Sequence, residues 1–80
     1  MISESKIQRA HIKMLEKDGY YVVKIITCNK NGFPDVMALK DGEVKFFEYK
    51  SSIGKVRPLQ EYRHNELKKF GFNTEIINTL

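Results

Sequence analysis

Gly32-Phe33-Pro34-Asp35-Val36-Met37-Ala38-Leu39-Lys40-Asp41-Gly42-Glu43-Val44-Lys45-Phe46-Phe47-Glu48-Tyr49-Lys50 is the stretch around which the rest of the chain is arranged. Val36 to Leu39 and Val44 to Glu48 are rich in strand-favouring residues, and Asp41-Gly42 between them is the strongest short-range hairpin signal. The two runs should therefore pair antiparallel. That pairing sets Asp35, at the start of the first strand, beside the far end of the second, where Glu48 and Lys50 lie. Side chains alternate along a strand, so Val44, Phe46, Glu48 and Lys50 share one face, and Lys45, Phe47 and Tyr49 the other.

An acid and a lysine thus continue an apolar row, which is costly unless they are paired or bound to a metal. Carboxylate oxygens from Asp and Glu, with a backbone carbonyl and waters, are the ligands Mg²⁺ selects. The bland alternative is that Glu48 and Lys50 decorate the exposed end of a strand, and Glu-x-Lys alone is a weak signal. Pro34 weighs against that alternative, because it fixes its own backbone angle and restricts Phe33, giving Asp35 a rigid lead-in. With the hairpin between and a basic, glutamine-bearing helix after, the pattern reads as a place where a divalent cation and a phosphate meet, a nuclease site.

Length and charge agree with that reading. Eighty residues make one domain, 1–80, near the size at which a lone core gives limited stability, so association with a second copy is expected. A net charge of +4 and a pI near 9.3 suit an anionic partner, nucleic acid foremost. The single cysteine, Cys28, cannot form an internal disulfide, which fits a reducing cytoplasm. It also leaves no zinc or thiol chemistry, and His11 and His64 stand isolated, each expected on a helix surface or at a contact. No apolar run reaches the roughly 18 residues of a membrane span, and no signal-peptide pattern opens the chain, so a soluble protein with no membrane partner is expected.

In chain order, Ser3 or Ser5 should open a helix, with Ser5-Lys6-Ile7-Gln8 at capping-box spacing, Ile7, Ala10, Met14 and Leu15 as its buried stripe, and Gly19 as its stop. Glu4 has two readings: a first-turn acid complementing the helix dipole, or a further metal ligand. Tyr20 to Thr27 reads as a strand, and Cys28 to Phe33 as a polar loop whose Lys30 and Asn31 can meet backbone phosphates or simply face water. Ser51 to Pro58 reads as a second polar loop, with Lys55 and Arg57 suited to phosphate. Pro58 should begin a helix burying Leu59, Tyr62, Leu67 and Phe70 and ending at Gly71, with Gln60 in a first turn that can face an anion. A strand over about Asn73 to Asn78 completes an α/β (α+β) order, α-β-β-β-α-β, with a mixed sheet flanked by helices.

The first helix with Glu4 and Gln8, then Gly32-Phe33-Pro34-Asp35, Glu48-Tyr49-Lys50 and Pro58-Leu59-Gln60 ahead of Gly71, resembles the VRR-Nuc family of virus-type replication-repair nucleases, within the PD-(D/E)xK superfamily. The resemblance spans nearly the whole chain. It implies a minimal restriction-endonuclease-like core and a Mg²⁺- or Mn²⁺-dependent endonuclease acting on DNA. Viral stand-alone members resemble Holliday junction resolvases and work as homodimers, which suggests branched DNA as substrate and a phage or prophage origin. By this likeness Asp35, Glu48 and the Tyr49 backbone carbonyl are metal ligands, Lys50 positions or activates water, Gln60 supports the site and Glu4 is the helix-one acid. Tyr49 departs from the family pattern, where the middle residue of Glu-x-Lys is more often aliphatic.

Three other readings compete. One is a nuclease acting on flap, nicked or single-stranded DNA. Another is a non-catalytic nucleic-acid-binding module, which would bind DNA equally with and without metal. The third is a structural partner protein whose carboxylates form surface ion pairs. Pro34-Asp35, Glu48-x-Lys50 and Gln60 together favour catalysis over the last two.

Overall fold

The structure, a computed structural model, describes residues 2–79. Helix α1 spans Glu4–Lys17, followed by strands β1 (Tyr21–Lys24), β2 (Val36–Lys40) and β3 (Glu43–Tyr49), helix α2 (Pro58–Lys69) and strand β4 (Asn73–Ile77). The expected α-β-β-β-α-β order and mixed sheet are both present. Strand order is β1-β2-β3-β4, the first two pairings antiparallel and β3 with β4 parallel.

The hairpin forms as Asp41-Gly42 predicts. Lys40 pairs with Glu43, and both turn residues take positive φ, 51° and 78°, the conformation a two-residue turn matching strand twist requires. Alternation on β3 then serves two layers. Phe47 and Tyr49 join Ile7, Leu15, Val36 and Ala38 in the core under α1. Phe46, on the opposite face, stacks edge-on against Phe33 and Phe72, and Glu48 faces α2.

β1 is shorter than the Tyr20–Thr27 expected. Its register pairs Lys24 with Val36, and one further bond runs from the Ile25 N–H to the Asp35 carbonyl. The next bonded pair would be Thr27 with Phe33, but the Phe33 N–H turns back to the Lys30 carbonyl at 3.3 Å, so the ladder stops there.

Both helices bury different stripes from those periodicity suggested. On α1 the buried residues are Ile7 and Leu15 with His11 half-buried between them, while Ala10 and Met14 are exposed. Ser3, not Ser5, is the N-cap, accepting the Lys6 N–H at 3.3 Å, so the Ser5–Gln8 box does not form. On α2 the departure is larger. Leu59, Tyr62 and Phe70 are exposed, and the inward side carries Gln60, Arg63, His64 and Leu67. The reason lies in what α2 covers: a buried carboxylate demands polar partners more than it tolerates apolar ones.

Candidate functional site

The register brings the two strand-borne acids together. Val36 stands opposite Phe47, so the antiparallel pairing continues with Asp35 opposite Glu48. Asp35 Oδ2 accepts the backbone N–H of Tyr49 at 2.8 Å. Burial is the largest influence on the Asp35 carboxyl, which is raised from 3.8 to about 6; the Tyr49 N–H opposes the rise, the Glu48 carboxyl adds to it, and Lys50 draws it back. Two crowded carboxyls with an ammonium beside them are what the sequence pattern called for.

Glu48 is only 2% exposed. Its Oε2 accepts from Gln60 Nε2 at 3.2 Å, and the Gln60 Oε1 accepts the Arg57 backbone N–H at 3.0 Å. Gln60 is therefore held at both ends, closing the first turn of α2 while reaching into the site. Its Glu48 partner keeps one oxygen, Oε1, buried and without a hydrogen bond. Lys50 is buried too, and its backbone N–H donates to the Ile77 carbonyl at 3.0 Å, tying the end of the acid-bearing strand to β4.

Of the residues expected to meet phosphate, Lys30 and Asn31 line a pocket with Asp35, and Arg57 joins Glu48 through Gln60. Lys30, Asn31, Lys55 and Arg57 are all exposed. The first loop is fastened to α2: Arg63 Nε donates to the Asn31 carbonyl at 2.8 Å, and Gly32 lies against Leu59 so closely that a Cβ would stand 2.8 Å from Leu59 Cγ. Glu4 is exposed in the first turn of α1, where it complements the helix dipole. Among the described residues no three acidic, histidine or cysteine side chains gather as a metal group.

Both histidines lie at contacts, the second of the two places expected for them, and His64 makes its contact beside the acid pair. His64 is 4% exposed rather than at the surface, its Nδ1 paired with the Thr74 hydroxyl and its Nε2 3.8 Å from Glu48 Oε1. Its spacing of four from Gln60 was the available signal, since i and i+4 share a helix face. His11, on the other side of the sheet, meets the Tyr49 hydroxyl through Nδ1 at 2.6 Å and packs edge-on against Phe47. Burial holds His11 below its ordinary value, with Glu75 pulling the other way, and burial likewise raises the Tyr49 phenol. Tyr49, the departure from the aliphatic pattern, thus anchors the strand from behind.

No curated protein matches the chain. Among solved structures, one described as a VRR_NUC domain superposes with a TM-score of 0.84 at 27% identity, covering 95% of this chain and 84% of its own. The family model for the archaeal Holliday junction resolvase, Hjc, matches residues 4–74. A match of that extent, on a fold that sets an acid pair and a lysine at the end of a hairpin, makes the chain a member of the Hjc family of PD-(D/E)xK nucleases.

Proposed function

We propose that this nuclease is a divalent-metal-dependent DNA endonuclease that cuts branched DNA, four-way junctions foremost, as a homodimer. The observation that supports it best is the Asp35–Glu48 pair. Burial and mutual crowding raise the Asp35 carboxyl to about 6, and Glu48 Oε1 is left without a partner, so the pair suits a cation. Asp35, Glu48 and the Tyr49 carbonyl would hold Mg²⁺ or Mn²⁺. When bound, such an ion supplies charge against the scissile phosphate and acidifies water.

The chain's own groups account for the remaining work. Lys50, on the Glu48 face, puts a fixed positive charge where phosphoryl oxygens become more negative during attack. Gln60 keeps Glu48 from turning away. Water adds across the P–O bond, leaving a 5′-phosphate and a 3′-hydroxyl. Lys30, Asn31, Lys55 and Arg57 take backbone phosphates, which position DNA without reading its sequence. A resolvase must cut two symmetry-related strands, and a two-fold dimer supplies two sites. The exposed Leu59, Tyr62 and Phe70 on α2 give apolar area to such a contact. No helix among the described residues is long and apolar enough to cross a membrane, which accords with action in the cytoplasm.

Cleavage of a labelled four-way junction beside linear duplex, flap and single strand, with Mg²⁺, Mn²⁺ or EDTA, tests the proposal. Paired symmetric cuts that need metal and vanish in Asp35→Ala and Lys50→Ala are expected, from a protein that sediments as a dimer. A monomer that cuts linear duplex as readily as the junction would overturn the junction and dimer assignments. Metal-independent binding with no cutting would make it a binding module.

A further inference from the structure

We propose that His64 is a positioning residue for Glu48: held by Thr74 as the Nε2–H tautomer, it aims that N–H at Glu48 Oε1 and fixes the plane of the carboxylate. What Glu48 then does rests on the nuclease reading, whereas the arrangement of the side chains does not.

The His64 side chain is 5% exposed and that of Glu48 2%. Nε2 and Oε1 face each other at 3.8 Å, and neither has a hydrogen-bond partner. Two hydrogen bonds of ordinary length meeting at a tetrahedral water would hold the outer atoms about 4.6 Å apart, so the shorter spacing favours a direct contact. The two atoms therefore act on each other directly, roughly 1 Å beyond hydrogen-bond length.

A neutral imidazole carries one N–H, and its location decides the sign of that contact. With the proton on Nδ1, the Nε2 lone pair would confront the carboxylate inside the protein, and both atoms would stay unsatisfied and mutually repelled. With the proton on Nε2, the Thr74 hydroxyl donates to Nδ1 and the N–H points at Oε1. Of the two neutral forms, only the second gives every buried atom an attractive neighbour, and the Nδ1–Thr74 hydroxyl contact it needs is present.

Gln60, one turn earlier on α2, already donates to the other oxygen at 3.2 Å. Residues 60 and 64 thus address Oε2 and Oε1 respectively. Thr74 sits on β4 directly beside Phe46, two residues before Glu48, so β4 takes part in the site through a hydroxyl. Groups that orient a metal-binding carboxylate in this way change metal affinity by roughly 10–100-fold when removed.

The first test is ¹⁵N NMR of the imidazole in metal-free wild type, where the Nε2–H tautomer is expected at His64 and an Nδ1–H signal overturns the role, whether or not the protein cuts DNA. The second is Mn²⁺ titration calorimetry. His64→Leu should weaken Mn²⁺ binding at least about 10-fold, Thr74→Val should fall between it and wild type, and His64→Gln, whose amide reaches the Nε2 position, should restore most of the loss. Junction affinity in EDTA should be the same for all. Wild-type Mn²⁺ affinity in His64→Leu overturns the proposal, and should that variant fail to fold, Thr74→Val and the wild-type tautomer still decide it. A wild type that binds no Mn²⁺ and cuts no DNA counts against the nuclease reading, not against the tautomer.

Discussion

Asp35 and Tyr49 are joined side chain to backbone across the strand pair, Oδ2 to N–H at 2.8 Å, so the first acid of the site is aimed by the strand that carries the second. The bond favours the ionised carboxyl, yet burial and Glu48 outweigh it, and the Asp35 carboxyl stands at about 6.

That balance gives a pH dependence. The folded protein holds the Asp35 proton more tightly than the unfolded chain does, so this group favours folding at low pH. Its contribution is lost as pH rises from about 4 through about 6. Asp35→Asn keeps an acceptor for the Tyr49 N–H and removes the ionisation. In EDTA, its melting temperature should exceed that of wild type at pH 8 and converge with it toward pH 4. Parallel curves for the two proteins across that window would sink the prediction.

Gly32→Ala should destabilise the protein by about 1–3 kcal/mol, since it combines a left-handed backbone with a clash. The φ is +78°, and a Cβ would meet Leu59 Cγ at 2.8 Å and the Leu59 backbone at 3.1 Å. Adding Leu59→Ala removes the nearer obstacle only, so urea melts of the double variant should recover part of the loss and not all of it.

Gln60→Ala removes a donor to Glu48 and the acceptor for the Arg57 N–H together. We expect about 1–2 kcal/mol of lost stability and roughly 10–100-fold weaker Mn²⁺ binding, read by urea denaturation and calorimetry. Unchanged Mn²⁺ affinity would show that Glu48 keeps its orientation without Gln60.

Tyr49→Phe tests the rear anchor. It leaves His11 Nδ1 without its 2.6 Å partner in a half-buried place, at a cost of about 1–2 kcal/mol. The backbone N–H to Asp35 is untouched, so metal-dependent cutting should persist. Loss of cutting in a folded Tyr49→Phe protein would give the phenol a part in the chemistry.

Lys30→Ala, Lys55→Ala and Arg57→Ala should each weaken junction binding in EDTA and reduce the slope of log affinity against log salt by about 1. A variant with an unaltered slope does not touch phosphate.

What the sequence revealed and concealed follows from the range of the forces involved. Asp41-Gly42 and strand alternation are local, so the hairpin and the Asp35–Glu48 neighbourhood could be read directly. Helix faces depend on what lies opposite. The Tyr62 and Phe70 side chains looked like core, but α2 turns Gln60 and His64 inward because Glu48 is there, a fact carried by β3 twelve residues before Gln60. On α1, Met14 and Leu15 fit a helical stripe about equally, and packing over Phe47 and Tyr49 selected Leu15. The end of β1 depends on the turn in which the Phe33 N–H meets the Lys30 carbonyl and on a register shared by two strands, neither of which a single run of residues displays.

The turning of the Phe33 N–H back to Lys30 also sets how freely this molecule can vary. Because pairing ends at Ile25, a segment inserted between Thr27 and Lys30 would lengthen an exposed bow without shifting any ladder partner of Val36 to Lys40. The reach of the loop that carries Lys30 and Asn31 can therefore drift over evolution, or be redesigned by grafting, while both acids stay in register.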